Sequence, residues 1–369
     1  MGDRAARPRT LALDLERAPA ARYDRVVDEL ALLPLTTPRL AIRALCEADA
    51  PALAAYRDDP EVARYQDWPL PFTLAAAEAL VADQADIRGP RAADWVQMGI
   101  EHAGELIGDV AVGLDGTGRL AMVGYTLRAD RQGQGYATEA VGGVIDALFA
   151  VGIRRVSATL DPANIPSAML LERLGFRYEG RAIGAAFVRG EWADDDRYAM
   201  LADERNAWLA RPRTSPSLVR LVELTPDNAP VVGRLATHHS QERFVAPMSQ
   251  TFADALVAEV VEGVPVEPWY RAIEADGELA GFVMIAVSTP PGDIPFLWRL
   301  LIDRRHQRRG IGARAVGLLL DHVRALGRPR LDVSWYPGRG SPEPFYRKLG
   351  FVPDGRIIDG QIVARLDLT

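Results

Sequence analysis

Cysteine is nearly missing from this chain: Cys46 stands alone in 369 residues, which excludes an intrachain disulfide and any cysteine-based metal site. Lysine is just as scarce, because Lys348 is the single lysine among 43 basic residues. The arginine excess reads as the codon bias of a GC-rich genome, so one arginine by itself carries little information. Only five histidines occur, and the adjacent His238 and His239 point in different directions on the helix expected there. With no third ligand at a useful spacing, no metal is expected. No apolar run approaches the roughly 18 residues of a membrane span, and the stretch containing Asp3, Arg4, Arg7, Arg9, Asp14 and Glu16 is too charged for a signal-peptide core. The balance of 43 basic and 50 acidic residues leaves a charge of −7. That balance argues against a nucleic-acid partner held through phosphates and favours cationic substrates. A cytoplasmic protein with no membrane partner is expected.

What is present comes twice. Gln132-Gly133-Gln134-Gly135-Tyr136-Ala137-Thr138 is echoed by Gln307-Arg308-Arg309-Gly310-Ile311-Gly312-Ala313. Each loop follows an apolar run that reads as a strand (122–127 and 296–302) and opens a helical pattern (138–149 and 313–326). Glycines let the backbone approach a ligand, and the free N–H groups of a helix start form an anion site that suits a pyrophosphate. Neither the dinucleotide spacing G-x-G-x-x-G nor the P-loop spacing is present. Each loop is followed by a closing Leu-Gly-Phe, at Leu174-Gly175-Phe176 and Leu349-Gly350-Phe351. The separations from Gly135 to Gly175 and from Gly312 to Gly350 are 40 and 38 residues. One fold, duplicated, accounts for this pattern.

The length suits two domains. Residues 1–33 read as an N-terminal extension with one helical pattern, 23–32. A first domain runs over 34–209, a Pro- and Ser-rich linker over 210–217, and a second domain over 218–369. In the first, strands are expected at 37–43, 95–100, 106–112, 122–127 and 155–160, then a helix at 166–174 and a closing hairpin. The second restarts the order: a strand at 219–224, helices at 229–238 and 251–259, strands at 270–273, 281–287, 296–302 and 330–335, a helix at 342–349 and a hairpin. This is an α+β class with a mixed sheet in each half.

The second loop fits Q-x-x-G-x-G/A and the first fits G-x-G-Y-A-T-E-A, and on these motifs the chain resembles the GNAT N-acetyltransferase superfamily in tandem. The first half is similar to ribosomal-protein-alanine acetyltransferases through Leu35-Thr36-Thr37-Pro38-Arg39-Leu40, Tyr65-Gln66-Asp67-Trp68-Pro69, Asn164-Ile165-Pro166-Ser167 and Trp192-Ala193-Asp194-Asp195. The C-terminal half resembles spermine/spermidine-type acetyltransferases through 241–246, 297–303 and 337–343 before Tyr346.

The resemblance implies acetyl-coenzyme A as cofactor, held by both loops and by main-chain contacts from Leu127 and Arg128, or Leu301 and Ile302. It implies that Tyr346 protonates the leaving sulfur, since a phenol with a pKa of about 10 is protonated at neutral pH. The equivalent position in the first half is Leu171. There Asn164 would contact the cofactor and Ser167 would lie near its sulfur, as proton donor or as a local helix cap. Met122 stands where such enzymes often carry a glutamate, and Gln361 replaces a glutamate of the final hairpin. Asp293 and Glu343 are base or cation-anchor candidates, or solvated loop acids. Direct acetylation of a small primary amine by the second half, a polyamine or an aminoglycoside-like antibiotic, is the expected function. The alternatives are a peptide amino terminus acetylated by the first half and a non-catalytic acetyl-coenzyme A-binding protein.

Overall fold

The computed structural model describes residues 29–257, 260–261, 263–287 and 294–368. By its internal contacts the chain divides into two compact units, Met1–Leu209 and Ala210–Thr369.

The first unit begins with β1 (Leu35–Thr36) and β2 (Ala41–Ala44), then α1 (Ala50–Asp58), α2 (Pro60–Ala63) and α3 (Leu74–Asp83). Strands β3 (Trp95–His102), β4 (Glu105–Leu114) and β5 (Leu120–Leu127) form a meander, followed by α4 (Tyr136–Ala150), β6 (Arg155–Leu160) and α5 (Ile165–Leu174). The hairpin β7 (Arg177–Val188) and β8 (Glu191–Leu201) and helix α6 (Ala202–Ala210) complete it. Spatially the strands run β1-β2-β3-β4-β5-β6-β8-β7. Every neighbour pair is antiparallel except β5 and β6. Helices cover both faces, so β4 is apolar almost throughout instead of alternating. Val110, Val123, Val156 and Ile145 belong to a core with α4 and α5, while Leu53, Trp68, Phe72 and Val81 form a separate core around α1 and α3.

The second unit contains β9 (Val219–Val222), α7 (Ala229–Val232), α8 (Met248–Leu256), the short pair β10 (Val260–Val261) and β11 (Val264–Pro265), then β12 (Pro268–Ala275), β13 (Glu278–Ala286) and β14 (Phe296–Ile302). It ends with α9 (Ile311–Ala325), β15 (Arg330–Trp335), α10 (Glu343–Lys348), β16 (Val352–Ile358) and β17 (Gln361–Asp367). The main sheet runs β16-β17-β15-β14-β13-β12-β9, again with a single parallel neighbour pair, β14 and β15.

The repeat is sharper in three dimensions than in the sequence. Gly135 (φ 84°) and Gly310 (φ 77°) each start a loop helix in the left-handed region. Gly310, rather than Gly312, is therefore the counterpart of Gly135, and the spacing to the closing glycine becomes 40 residues in both units. The closing motifs are matching helix stops. Gly175 and Gly350 take φ 99° and 96°, and the next residues, Phe176 and Phe351, return N–H bonds to Leu171 O (3.0 Å) and Tyr346 O (3.1 Å). Both phenylalanines are buried, which fixes the exit of each helix.

Two helix expectations differ from the structure. The helix expected over 23–32 falls mostly outside the described residues, and its described end is not helical: Leu30 N–H donates to Pro90 O at 2.8 Å and Leu32 N–H to Arg88 O at 2.9 Å. Leu30 belongs to the first core. The helix expected over 229–238 stops at Val232, before Gly233, so His238 and His239 lie outside it. The Pro-rich stretch is tied to the second unit: Arg309 Nε donates to Thr214 O at 2.8 Å, and Asp276 accepts from the Ser217 and Leu218 N–H groups at 3.1 and 2.8 Å.

Candidate active site

The organising feature of each unit is a gap in its sheet. β5 pairs with β6 only from Leu120 to Met122, and β14 pairs with β15 only at Phe296 and Leu297. Beyond those residues the parallel strands part, and one edge of β5 and of β14 is left open.

Register decides which main-chain groups face the gap. Leu127 is opposite Gly108, and the next N–H, from Arg128, donates to Ile107 O at 3.0 Å. Leu127 and Gly108 are thus a non-hydrogen-bonded pair, and the Leu127 N–H and carbonyl turn away from β4 towards the gap. Gln132 Nε2 holds that carbonyl at 3.2 Å, leaving the N–H free. Arg128 is engaged at both main-chain groups, since its carbonyl accepts from Arg131 N–H at 3.0 Å. The second unit repeats the arrangement: Ile302 is opposite Gly281, Asp303 N–H donates to Ala280 O at 2.9 Å, and Gln307 Nε2 donates to Ile302 O at 3.1 Å. Leu301 is committed to β13 and buried. Of each expected pair, one residue presents its backbone. The glutamines shape the strand end from their side chains.

The glycine loops have the cradle form. A Cβ on Gly133 meets nothing within 4 Å, and one on Gly135 meets only Arg39 Nη2, at 3.4 Å. The first N–H inside α4 to find a carbonyl is that of Glu139, bonded to Gly135 O, so the Tyr136, Ala137 and Thr138 N–H groups are available. The Tyr136 ring itself points inward, with its hydroxyl 3.2 Å from His102 Nε2. Gln134 is occupied, donating to Asp130 O at 3.1 Å and accepting from Arg39 Nη1 on its carbonyl, also at 3.1 Å. Glu139 draws Arg39 to the loop, accepting from its N–H at 2.8 Å and its Nε at 2.6 Å. These bonds, with one from Thr37, hold the Glu139 carboxyl below the usual range although burial pushes it up.

In the second unit the Ile311, Gly312 and Ala313 N–H groups are free in the same way, since Arg314 is the first to reach Gly310 O. Arg308 takes φ 63° where the first unit has Gly133. Arg309 is buried on Thr214 O and His306 Nδ1 and is not directed at a phosphate. Gly312 serves helix packing, because its Cβ position is 3.4 Å from Phe345.

Two groups of possible proton donors stand near the gaps. In the first unit the Ser167 hydroxyl lies 2.6 Å from the Tyr125 hydroxyl. Tyr125 is on the open half of β5 and Ser167 on the first turn of α5. Asn164, expected to contact the cofactor, instead caps α5, with its Oδ1 accepting from Ser167 N–H at 3.2 Å. Ser167 is thereby relieved of the capping role and keeps its hydroxyl for Tyr125. Burial pushes the Tyr125 phenol up, so it is protonated at neutral pH. No local sequence signal marks Tyr125 as a site residue, because its serine partner lies 42 positions away.

Tyr346 is buried among Trp335, Phe345 and Phe351, stacked on Trp335 with centroids 5.7 Å apart. Burial raises its pKa, and its hydroxyl has no hydrogen-bond partner among the described residues. Leu171 is a core residue. Gln361 accepts from Ser334 Oγ at 2.7 Å, and Glu343 pairs with Arg347 on the surface of α10 at 2.7 Å. Asp293 lies outside the described residues.

Family models cover both halves. Residues 39–177 match the acetyltransferase (GNAT) domain, and 236–351 match the acetyltransferase (GNAT) family. The chain belongs to the GNAT acetyltransferases. It is an enzyme of that family, with two GNAT domains, each a mixed, mostly antiparallel sheet flanked by helices. Among its relatives are the uncharacterised N-acetyltransferases p20 of Bacillus licheniformis, 31% identical over 173 residues (46% of this chain, 97% of p20), and YnaD of Bacillus subtilis (strain 168), 29% identical over 173 residues (47% and 99%). YdaF of Bacillus subtilis (strain 168), provisionally named a ribosomal N-acetyltransferase, is 30% identical over 122 residues, covering 32% of this chain and 63% of YdaF. A solved structure of Mycobacterium smegmatis RimJ with CoA-disulfide is 27% identical, with a TM-score of 0.42 over 48% of this chain and 92% of RimJ. No helix among the described residues of this GNAT protein is long and apolar enough to cross a membrane, and none of its described His, Cys, Asp and Glu residues form a group of three or more able to hold a metal ion.

Proposed function

We propose that the first GNAT unit acetylates a primary amine by direct transfer from acetyl-coenzyme A, with a peptide or protein amino terminus as the acceptor class. The contact between Tyr125 and Ser167 at the open edge of β5 carries this reading. The residues present fit the donor: an unobstructed glycine cradle, three free N–H groups at the start of α4 for a pyrophosphate, and the Leu127 N–H beside the gap for an extended amide chain. When bound, acetyl-coenzyme A supplies the activated acetyl thioester. Ser167, in contact with a phenol that stays protonated, donates to the departing sulfur. The name of YdaF supports the acceptor class.

A second reading sets the transfer in the second unit, on a small amine such as a polyamine or an aminoglycoside-like antibiotic. The unpartnered Tyr346 hydroxyl favours it, since a free phenol is ready to donate, and so does the resemblance of that half to spermine/spermidine-type enzymes.

Mass spectrometry tests both readings, with acetyl-coenzyme A and four acceptors: an Ala-initiated peptide, spermidine, an aminoglycoside and lysine. Acetylated peptide from the wild type and from Tyr346→Phe, but not from Ser167→Ala, is the expected result. Acetylated spermidine or aminoglycoside that survives Ser167→Ala and is lost in Tyr346→Phe would move the reaction to the second unit. No product with any acceptor, together with tight acetyl-coenzyme A binding, would favour a binding role.

A further inference from the structure

Proton removal from the acceptor needs a base, and Met122 leaves the usual carboxylate position without one. The sheet register indicates where another carboxylate sits. Asp109 is paired with Thr126, Met122 with Ser157, and Thr159 with Arg197. Paired residues share a face and neighbours along a strand alternate. Thr126, Ser157, Thr159, Arg197 and Asp195 therefore lie on the sheet face opposite Tyr125, the face on which Arg57 meets Asp109.

This face is roofed beside the gap. Gln66 Nε2 reaches Thr126 Oγ1 at 3.4 Å, and the Tyr65 hydroxyl donates to Ala163 O at 3.3 Å. From the β7–β8 tip, Arg189 Nη2 donates to Ala63 O at 2.6 Å and Gln66 O at 3.3 Å. Asp195 lies on this same face by register, one residue beyond the last β6–β8 pair, Leu160 with Asp196, and so level with Asp161 at the end of the gap strand.

Its acidic neighbours are engaged. Asp194 accepts from Gly184 N–H at 2.9 Å, Asp196 is held by Arg181 at 2.8 and 3.0 Å, and Asp161 accepts from Ala163 N–H at 2.7 Å. Asp195 is half-buried and makes no hydrogen bond or ion pair among the described residues. Burial raises its pKa, as do Asp161 and Asp196, while Arg197 opposes them. A fold does not gain by half-burying an unpaired carboxyl.

Resting on the first-unit reading, we propose that Asp195 binds the acceptor's ammonium group and removes its proton. The carboxylate takes one proton from the ammonium and passes it to solvent. The neutral nitrogen then forms the C–N bond to the acetyl carbon. As the C–S bond breaks, its electron pair leaves on sulfur, which takes a proton from the Ser167 hydroxyl. The second proton shed by nitrogen as it becomes an amide replaces the one Ser167 gave.

The test compares Asp195→Asn, Asp195→Glu and Ser167→Ala in the full chain, using Ala-initiated peptide and a second acceptor whose amine is already neutral at the assay pH. Asp195→Asn is expected to lower kcat/KM for the peptide about 100-fold, with acetyl-coenzyme A affinity by calorimetry unchanged. The loss should shrink towards tenfold or less for the neutral amine, and the acidic limb of the kcat/KM profile should disappear. Asp195→Glu should restore part of the activity. Wild-type kcat/KM in Asp195→Asn alongside a dead Ser167→Ala would overturn this assignment while leaving the first-unit reading intact. Peptide acetylation indifferent to Ser167→Ala and abolished by Tyr346→Phe would overturn both.

Discussion

The hydroxyls of Tyr125 and Ser167 lie 2.6 Å apart, joining the open half of β5 to the first turn of α5. Removing either partner tests a proton relay without disturbing the cradle. Ser167→Ala is expected to lower kcat 100-fold or more and Tyr125→Phe about tenfold, in the range of general acid catalysis. Calorimetric titration with acetyl-coenzyme A should find both variants within about twofold of wild type, a margin of less than 1 kcal/mol.

Gly108 and Gly281 occupy the same position in the two units, and a Cβ would come within 2.2 Å of Thr126 O and 2.3 Å of Leu301 O. These oxygens belong to backbone and cannot swing aside. Gly108→Ala and Gly281→Ala should each cost about 2–4 kcal/mol by forcing adjacent strands apart. Urea unfolding should show the loss in one transition per variant, and a wild-type midpoint in either would contradict the described pairing.

Glu139 accepts from Thr37 Oγ1 at 2.7 Å as well as from Arg39, so one carboxylate ties the entering strand to the glycine loop. Glu139→Ala should free Arg39 and loosen the cradle. We expect acetyl-coenzyme A binding to weaken about tenfold, or about 1.4 kcal/mol, with a stability loss of about 1 kcal/mol. Calorimetry separates the two effects. Unchanged affinity would mean that the loop keeps its form without this tie.

Glu179 is held by Arg155 first, at 2.9 Å through Nη1, and by Arg177 at 2.8 Å, and its pKa falls to about 2. A carboxylate depressed in the folded state adds stability above its unfolded pKa of about 4.3. That contribution fades as pH drops from there towards about 2. Urea midpoints of the first unit should therefore decline across this window. Glu179→Gln should flatten the decline and lower stability at neutral pH. An equally steep acid limb in the variant would assign the effect to other carboxylates.

The features legible from sequence are those governed by a few adjacent residues. Glycines at positive φ announced both loops and both helix stops, because a side chain is costly there. The strand at 296–302 followed from an apolar run, and the α+β class from the order of strand and helix patterns. Helix ends were less legible: the pattern at 229–238 ran past Gly233, where the helix breaks. The segment at 29–32 reads as helical in its pattern yet is not helical, since its N–H groups reach Pro90 and Arg88 across the chain.

The sequence by itself determined that the chain is a duplicated α+β protein with two anion-ready glycine loops, because period and backbone freedom are local properties. Tertiary structure alone decided which groups face the gap in each sheet. Register selected Leu127 over Arg128 and Ile302 over Leu301. The fold also brought Tyr125 to Ser167, gave the capping role to Asn164, and left Asp195 without a partner among the described residues. Each of these depends on strands and helices far apart in the chain meeting at one depth, and no local pattern encodes that distance.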